Sequence, residues 1–298
     1  MDTEDFKLSH GKVVSLGSCD SSWVPKWAKK QDQKEGKKAV KEQALALLES
    51  KRQKLVELQE LFWANDTYSI LIILQGMDAA GKDSTIEHVM SGINPQGCQV
   101  TGFKTPSAEE LDHDFLWRYT KALPERGRFG IFNRSYYEDV LIVKVRPEVL
   151  AIQKLPYQNE GKLFWNQRYE DINMFERHLI RNGTIVLKFF LHISKNEQKK
   201  RLLARLNDQE KEWKFSLTDL SERSKWDDYM DAYQEMLNKT NTEWAPWYII
   251  PADKKWVAHA LISEIILTRI EKLNLNYPVL SKTQREELEK AKAELEKE

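Results

Sequence analysis

Apolar and polar positions change period several times along this chain. Residues 70–74, Ile-Leu-Ile-Ile-Leu, are continuously apolar and mostly β-branched, which predicts a strand buried on both faces. Before it, Ala44, Leu47, Leu48, Leu55, Leu58, Leu61 and Phe62 fall on one helical stripe, so Lys38 to about Ala64 reads as a scaffold helix beside a sheet. A polar periodic segment from about Lys82 to Ser91 predicts a second helix, and Gly92–Gly97 a turn. Gln99–Phe103 reads as the next strand. Ser107 stands three residues before Glu110, the spacing of a capping box, and predicts one helix through His113, Trp117, Arg118 and Tyr119 to Leu123-Pro124.

Gly130–Phe132 is a short apolar strand. Residues 145–161, with Pro147, Pro156 and Gly161, read as a loop. A helix is predicted over Lys162–Arg181, a buried strand over Thr184–Leu191 and a helix capped by Ser194. Residues 207–218 connect to a helix over Ser221–Thr240. A last strand at Pro246–Pro251 leads to an amphipathic helix over Lys254–Lys272. Strands alternating with helices predict a three-layer α/β/α fold on a parallel, doubly wound sheet. Residues 1–37 lack a period and read as an arm docked through Trp23 and Trp27. Residues 273–298 end in a highly charged helix.

Composition narrows the function classes. The 298 residues carry zero formal net charge, which argues against a globally basic nucleic-acid binder. Cys19 and Cys98 show no metal-ligand spacing and suit a reducing, cytoplasmic setting. Neither a membrane span nor a secretory signal is expected.

The chemistry lies where the first strand stops. Gly76-Met77-Asp78-Ala79-Ala80-Gly81-Lys82-Asp83-Ser84 fits most of the phosphate-cradling pattern G-x-x-x-x-G-K-[ST]. Gly76 and Gly81 let the backbone curl so that N–H groups, including those around Ala79 and Ala80, face phosphate oxygens at a helix N-terminus. Lys82 adds mobile charge. Asp83 replaces the usual hydroxyl ligand of Mg²⁺, and Asp78 in the loop makes sense if Mg²⁺ lies between it and the phosphates. Asn133-Arg134 and Glu138-Asp139 follow the third strand, where open α/β sheets bind ligands. Asn133 and Glu138 are further metal-ligand candidates, and Arg134 a phosphate contact. Arg118, Lys199, Arg201 and Arg205 are candidate phosphate or nucleotide contacts. Arg201 and Arg205 share a helix face in a lid at about 194–220, with Lys200 beside them.

The ordered set Gly76–Asp83, Phe132–Leu141, Trp213-Lys214-Phe215-Ser216, Ala245-Pro246-Trp247 and Pro251–Trp256 resembles the polyphosphate kinase 2 family. The likeness spans about residues 40–272 and places the kinase domain at 38–272. It implies a P-loop kinase fold and reversible phosphoryl transfer between inorganic polyphosphate and nucleotides, with Mg²⁺ or in its place Mn²⁺. It matches Asp78 and Asn133 to the family's two acidic metal positions, and Lys82, Arg134, Arg201 and Arg205 to its basic ones. Asn133 departs from the Asp expected there. The Asn-Arg-Ser form resembles the subgroup that phosphorylates both AMP and ADP, with GMP and GDP left open. A homo-oligomer, dimer or tetramer, is expected. Two other readings share the loop: a nucleoside monophosphate kinase using ATP, and a nucleotide-binding switch or scaffold that transfers nothing.

Overall fold

The first apolar stripe folds as helix α1, Lys26–Asn65, in a computed structural model that describes residues 3–156 and 161–298. The helix starts at Lys26 rather than Lys38. Its lysine-rich first part has no apolar stripe to betray it, and Gly36, with φ +81° and ψ 175°, separates it from the rest. Strand β1, Ser69–Gln75, is buried throughout. Helix α2 is Lys82–Val89 and strand β2 is Cys98–Gly102.

The capping box at Ser107 forms, with Ser107 Oγ accepting from the Glu110 N–H at 3.2 Å. The helix it starts is short. Helix α3, Ala108–Leu111, stops, and the chain resumes as α4, Trp117–Thr120. Asp114 accepts from the Leu116 N–H at 2.9 Å, an Asx turn that competes with a continuous helix.

Strand β3, Phe129–Asn133, passes into a 3₁₀ turn, Tyr136–Val140. Helices α5, Ile142–Val145, and α6, Pro147–Ala151, occupy part of the expected loop; Pro147 opens a helix because its missing N–H costs nothing there. Residues 157–160 of that loop lie outside the described residues. Helix α7 is Lys162–Arg181, strand β4 Thr184–His192 and helix α8 Lys195–Leu206. The helix expected over Ser221–Thr240 is two: α9, Leu217–Ser224, and α10, Trp226–Thr240, meeting at Lys225. A second capping box, Ser216 with Asp219, starts α9 upstream of the expected boundary. Strand β5, Trp247–Pro251, helix α11, Lys255–Glu271, and helix α12, Lys282–Leu295, complete the chain.

All strand pairs are parallel, in the order β2-β3-β1-β4-β5. The chain leaves β1 toward β2 and later crosses from β3 past β1 to β4. Strand order therefore reverses at β1, the switch point where such sheets open a crevice. Right-handed crossovers then place α2 on one face and α7 and α10 on the other. Helix α11 packs on β4 and β5, with α1 and α2 against it. This covering explains why α11 is buried on most sides, from Val257 to Ile270, and is not the amphipathic helix its sequence suggested.

The arm before α1 docks rather than hangs free. Leu8 N–H donates to Trp247 O at 2.8 Å and Lys7 bridges to Tyr248, closing the β5 edge. Trp23 packs edge-on against Phe6 at 4.8 Å, and Trp27, inside α1, against Trp256 at 5.6 Å. Helix α12 buries no residue. Among the described residues no helix is long and apolar enough to cross a membrane.

Candidate active site

Register brings the ends of the central strands level: Leu74 lies opposite Asn133 on β3, and Gln75 opposite Phe190 on β4. The loop 76–81 turns over this edge. Gly76 has φ +151°, and a Cβ there would lie 2.8 Å from Leu191 O, so the approach of β4 excludes any side chain. Ala79 adopts φ +61°, a strained left-handed conformation for a residue with a Cβ.

Arg201 holds that strained turn from behind. Its Nη1 donates to Ala79 O (3.0 Å) and Ala80 O (2.9 Å), its Nη2 to Ala252 O (2.6 Å) and Asp253 O (3.2 Å), and its Nε to Glu197 Oε1 (3.0 Å). These contacts use all five guanidinium N–H groups. Expected as a lid contact to phosphate, Arg201 instead fastens the loop to α8 and to the end of β5.

Lys82 is buried and donates to Gly76 O (2.6 Å) and Met77 O (3.2 Å). Burial, aided by Arg134, pushes its pKa down to about 8. Arg134, at φ +66°, donates to Asp78 Oδ1 (2.6 Å) and pairs with Glu138 Oε2 (3.4 Å). Glu138 foremost, then Asp78 against the cost of burial, holds its pKa above the ordinary arginine value. Turned to satisfy both neighbours, the Gln75 amide donates to Glu138 Oε1 (2.9 Å) and accepts from Ser135 Oγ (3.1 Å). Asp78 O accepts from Gln198 Nε2 (3.0 Å), whose Oε1 accepts from Arg223 (2.6 Å). Asn133 turns toward α2, its Nδ2 donating to Asp83 Oδ1 at 2.6 Å. Asp83 sits in the first turn of α2, where a carboxylate meets the positive end of the helix.

The remaining candidates separate. Arg205 stands 3.6 Å from Asp219, at the start of α9. Burial and the charge of Asp78 raise the pKa of Asp219, which places it within electrostatic range of the loop. Ser84 does not join the site; its Oγ lies 3.4 Å from His259 Nε2 on the face of α2 packed against α11. Lys199 and Lys200 are exposed. Arg118 is tied to Lys104 O (2.9 Å) and lies in a separate cleft. Gln75, Gln198, Asp219, Tyr229 and Tyr233 surround the cluster, the two tyrosines within the field of Glu138 and Asp78. No motif singled these five out. For Asp219 the S-x-x-D capping spacing was visible, but not the direction of the carboxylate.

At the switch point, then, a glycine loop opening a helix, a lysine, an arginine and two carboxylates converge. The sequence profile of the polyphosphate kinase 2 family matches residues 37–278.

The chain belongs to the polyphosphate kinase 2 family.

It is 50% identical over 287 residues to the ADP-polyphosphate phosphotransferase of Rhodopseudomonas palustris, covering 96% of each chain. It is 46% identical over 244 residues to the AMP/ADP-polyphosphate phosphotransferase of Meiothermus ruber, covering 82% of this chain and 86% of that one. The crystal structure of polyphosphate kinase 2 from Arthrobacter aurescens superposes with a TM-score of 0.83 at 40% identity, over 96% of this chain and 95% of that one. The expected P-loop kinase fold is thus the observed one, and the chain is a kinase-type enzyme. In the Asp78–Arg134–Glu138 cluster two carboxylates flank one arginine beside the loop.

Proposed function

We propose that this enzyme reversibly transfers the terminal phosphoryl group of inorganic polyphosphate to AMP and ADP, forming ADP and ATP. The observation that carries the reading is the convergence of Lys82, Arg134, Asp78 and Glu138 on one phosphate loop, in a chain of this family. The loop N–H groups and Lys82 hold phosphate oxygens. Arg134 exchanges its carboxylate partners for phosphate and balances charge on the transferring group. Arg205, released from Asp219, adds to that charge from a lid formed by α8, α9 and the segment between them. Arg201 acts one step removed, by keeping the loop in its strained form.

Asp78 and Glu138 are the residues that would hold Mg²⁺, with Mn²⁺ as a substitute. Bound there, the ion would act as a Lewis acid toward phosphate oxygens. Asn133, donating to Asp83, contributes at most a neutral oxygen. An anionic phosphate oxygen of the acceptor attacks the terminal phosphorus of polyphosphate. One P–O bond forms while the bridging P–O bond breaks. The attacking oxygen carries no proton that must be removed, so no strong general base is needed. The reading extends to a cytoplasmic homo-oligomer, on the sparse cysteines and the exposed terminal helix.

Purified protein with Mg²⁺, long-chain polyphosphate and either AMP or ADP, followed by chromatography of the nucleotides, tests it. ATP from ADP, and ADP followed by ATP from AMP, is the expected result. Transfer from ATP to AMP with none from polyphosphate would overturn it in favour of a nucleoside monophosphate kinase.

A further inference from the structure

Three peptide groups of the loop are held from α8. Asp78 O accepts from Gln198 Nε2 (3.0 Å), and Ala79 O and Ala80 O accept from Arg201 Nη1 (3.0 and 2.9 Å). In a trans peptide the C=O and the next N–H point to opposite sides. Carbonyls turned toward α8 therefore turn the N–H groups of Ala79, Ala80 and Gly81 away from it. The Ala80 N–H is used within the loop, donating to Met77 O at 3.1 Å. Neither of the other two finds a backbone acceptor among the described residues. Gln198 thus aims the Ala79 N–H as Arg201 aims that of Gly81.

Gln198 lies in the first turn of α8 and is 1% exposed. A buried amide needs a partner at each end, and this one has both. Its Oε1 accepts from Arg223 Nη1 at 2.6 Å, and the same nitrogen donates to Lys195 O at 2.9 Å. Arginine only donates and a backbone carbonyl only accepts, so the amide between them has one orientation. A glutamate in its place would keep Arg223 but offer Asp78 O no donor.

Arg223 belongs to α9, four residues after Asp219 and so on the same face. Asp219 stands 3.6 Å from Arg205 on α8. Helix α9 therefore meets α8 through two links. One is an ion pair. The other runs through a buried neutral amide to the backbone of the loop.

We propose that Gln198 is a positioning residue for phosphoryl transfer: it holds the Asp78–Ala79 peptide so that the Ala79 N–H meets a phosphate oxygen, and Arg223 keeps its amide in the donating orientation. The same bond steadies the backbone beneath the Asp78 carboxylate, which accepts from Arg134 at 2.6 Å. Gln198 itself touches no reacting atom. Through Arg223, the position of α9 sets the aim of the loop. The assignment rests on the function proposed above and deepens it.

Gln198→Met keeps the length of the side chain and removes both hydrogen bonds. Its kcat for ATP formation from polyphosphate and ADP should fall about 10–10²-fold, below the effect of a transition-state donor removed outright. KM for ADP should stay within about twofold. Arg223→Met, which frees the amide to turn, should lose about as much. The double variant should lose no more than either alone, because residues acting as one unit are not additive. Arg223→Lys, which keeps a donor for Oε1, should recover most of the activity. Gln198→Glu carries the same prediction as Gln198→Met if the latter does not fold. Calorimetric titration with tripolyphosphate should show affinity about tenfold weaker in Gln198→Met than in the wild type, the scale of one lost hydrogen bond. Unchanged kcat in Gln198→Met, or losses that multiply in the double variant, would overturn the proposal. So would a rise in KM for ADP as large as the fall in kcat, which would mark general distortion. If the wild type transfers nothing from polyphosphate, the activity proposal fails alone; tripolyphosphate bound equally by wild type and Gln198→Met would then sink the relay separately. A wild type that binds no tripolyphosphate would sink both.

Discussion

Two ionic clusters joined by one short segment use similar residues to opposite ends. At the loop, Arg134 pairs with Asp78 and Glu138, and its side chain is 36% exposed. One layer below, Lys188 on β4 pairs with Glu176 on α7 at 2.7 Å, and both side chains are fully buried. The buried pair is complete. Lys188 also donates to Tyr137 (2.9 Å) and Thr240 O (2.7 Å), and Glu176 accepts from Tyr136 (2.9 Å) and Tyr137 (2.6 Å). The loop cluster is provisional. Its cations rest on carbonyls and carboxylates, partners that phosphates would replace on the function proposed above. Solvent access at Arg134, more than residue type, separates its pairs from the fixed one. The same short segment joins them, because Tyr136 and Tyr137 anchor in the buried network two residues after Arg134.

The largest expected effect breaks the two clusters apart. Lys188→Ala leaves Glu176 buried without its partner and should cost about 3–5 kcal/mol of stability, read by chemical denaturation. Arg134→Ala should cost less than about 1 kcal/mol, as a partly exposed pair does. It should nevertheless lower kcat about 10²–10³-fold, the scale of a lost electrostatic donor. Similar stability losses in the two variants would erase the distinction.

A smaller effect sharpens it through pH. With its pKa near 8, Lys82 is charged below that pH and neutral above it. Phosphate needs the charged form. Polyphosphate affinity should therefore be flat below about pH 8 and weaken above it, by at most about tenfold per pH unit. A Lys82→Met variant should lose that slope. A profile flat to pH 9.5 in the wild type would remove Lys82 from the phosphate site.

Much of this architecture was legible beforehand. The strand at 70–74, the glycine loop and the helix at Lys162–Arg181 announced themselves by period and by glycine, because burial on both faces and tight turns leave few residue choices. What stayed hidden depended on tertiary contact. The buried face of α11 follows from α1 and the sheet closing over it, which no local pattern records. Arg201 was legible as a lid cation, but its four donations to backbone carbonyls depend on the turn of the loop and on where β5 ends. Asn133 looked like a weakened metal ligand; its amide finds Asp83, a partner fifty residues away in sequence. Arg118 showed as a cation on a helix, while its cleft is assembled from four separate segments.

On the function proposed above, the loop cluster performs phosphoryl transfer while the layer beneath only holds it in place. Lys82→Ala tests it most directly, with ATP formation from polyphosphate and ADP and thermal unfolding measured on the same preparation. Loss of detectable ATP formation, with a melting temperature at or near that of the wild type, is the predicted result. Near-normal ATP formation by the variant would contradict the account.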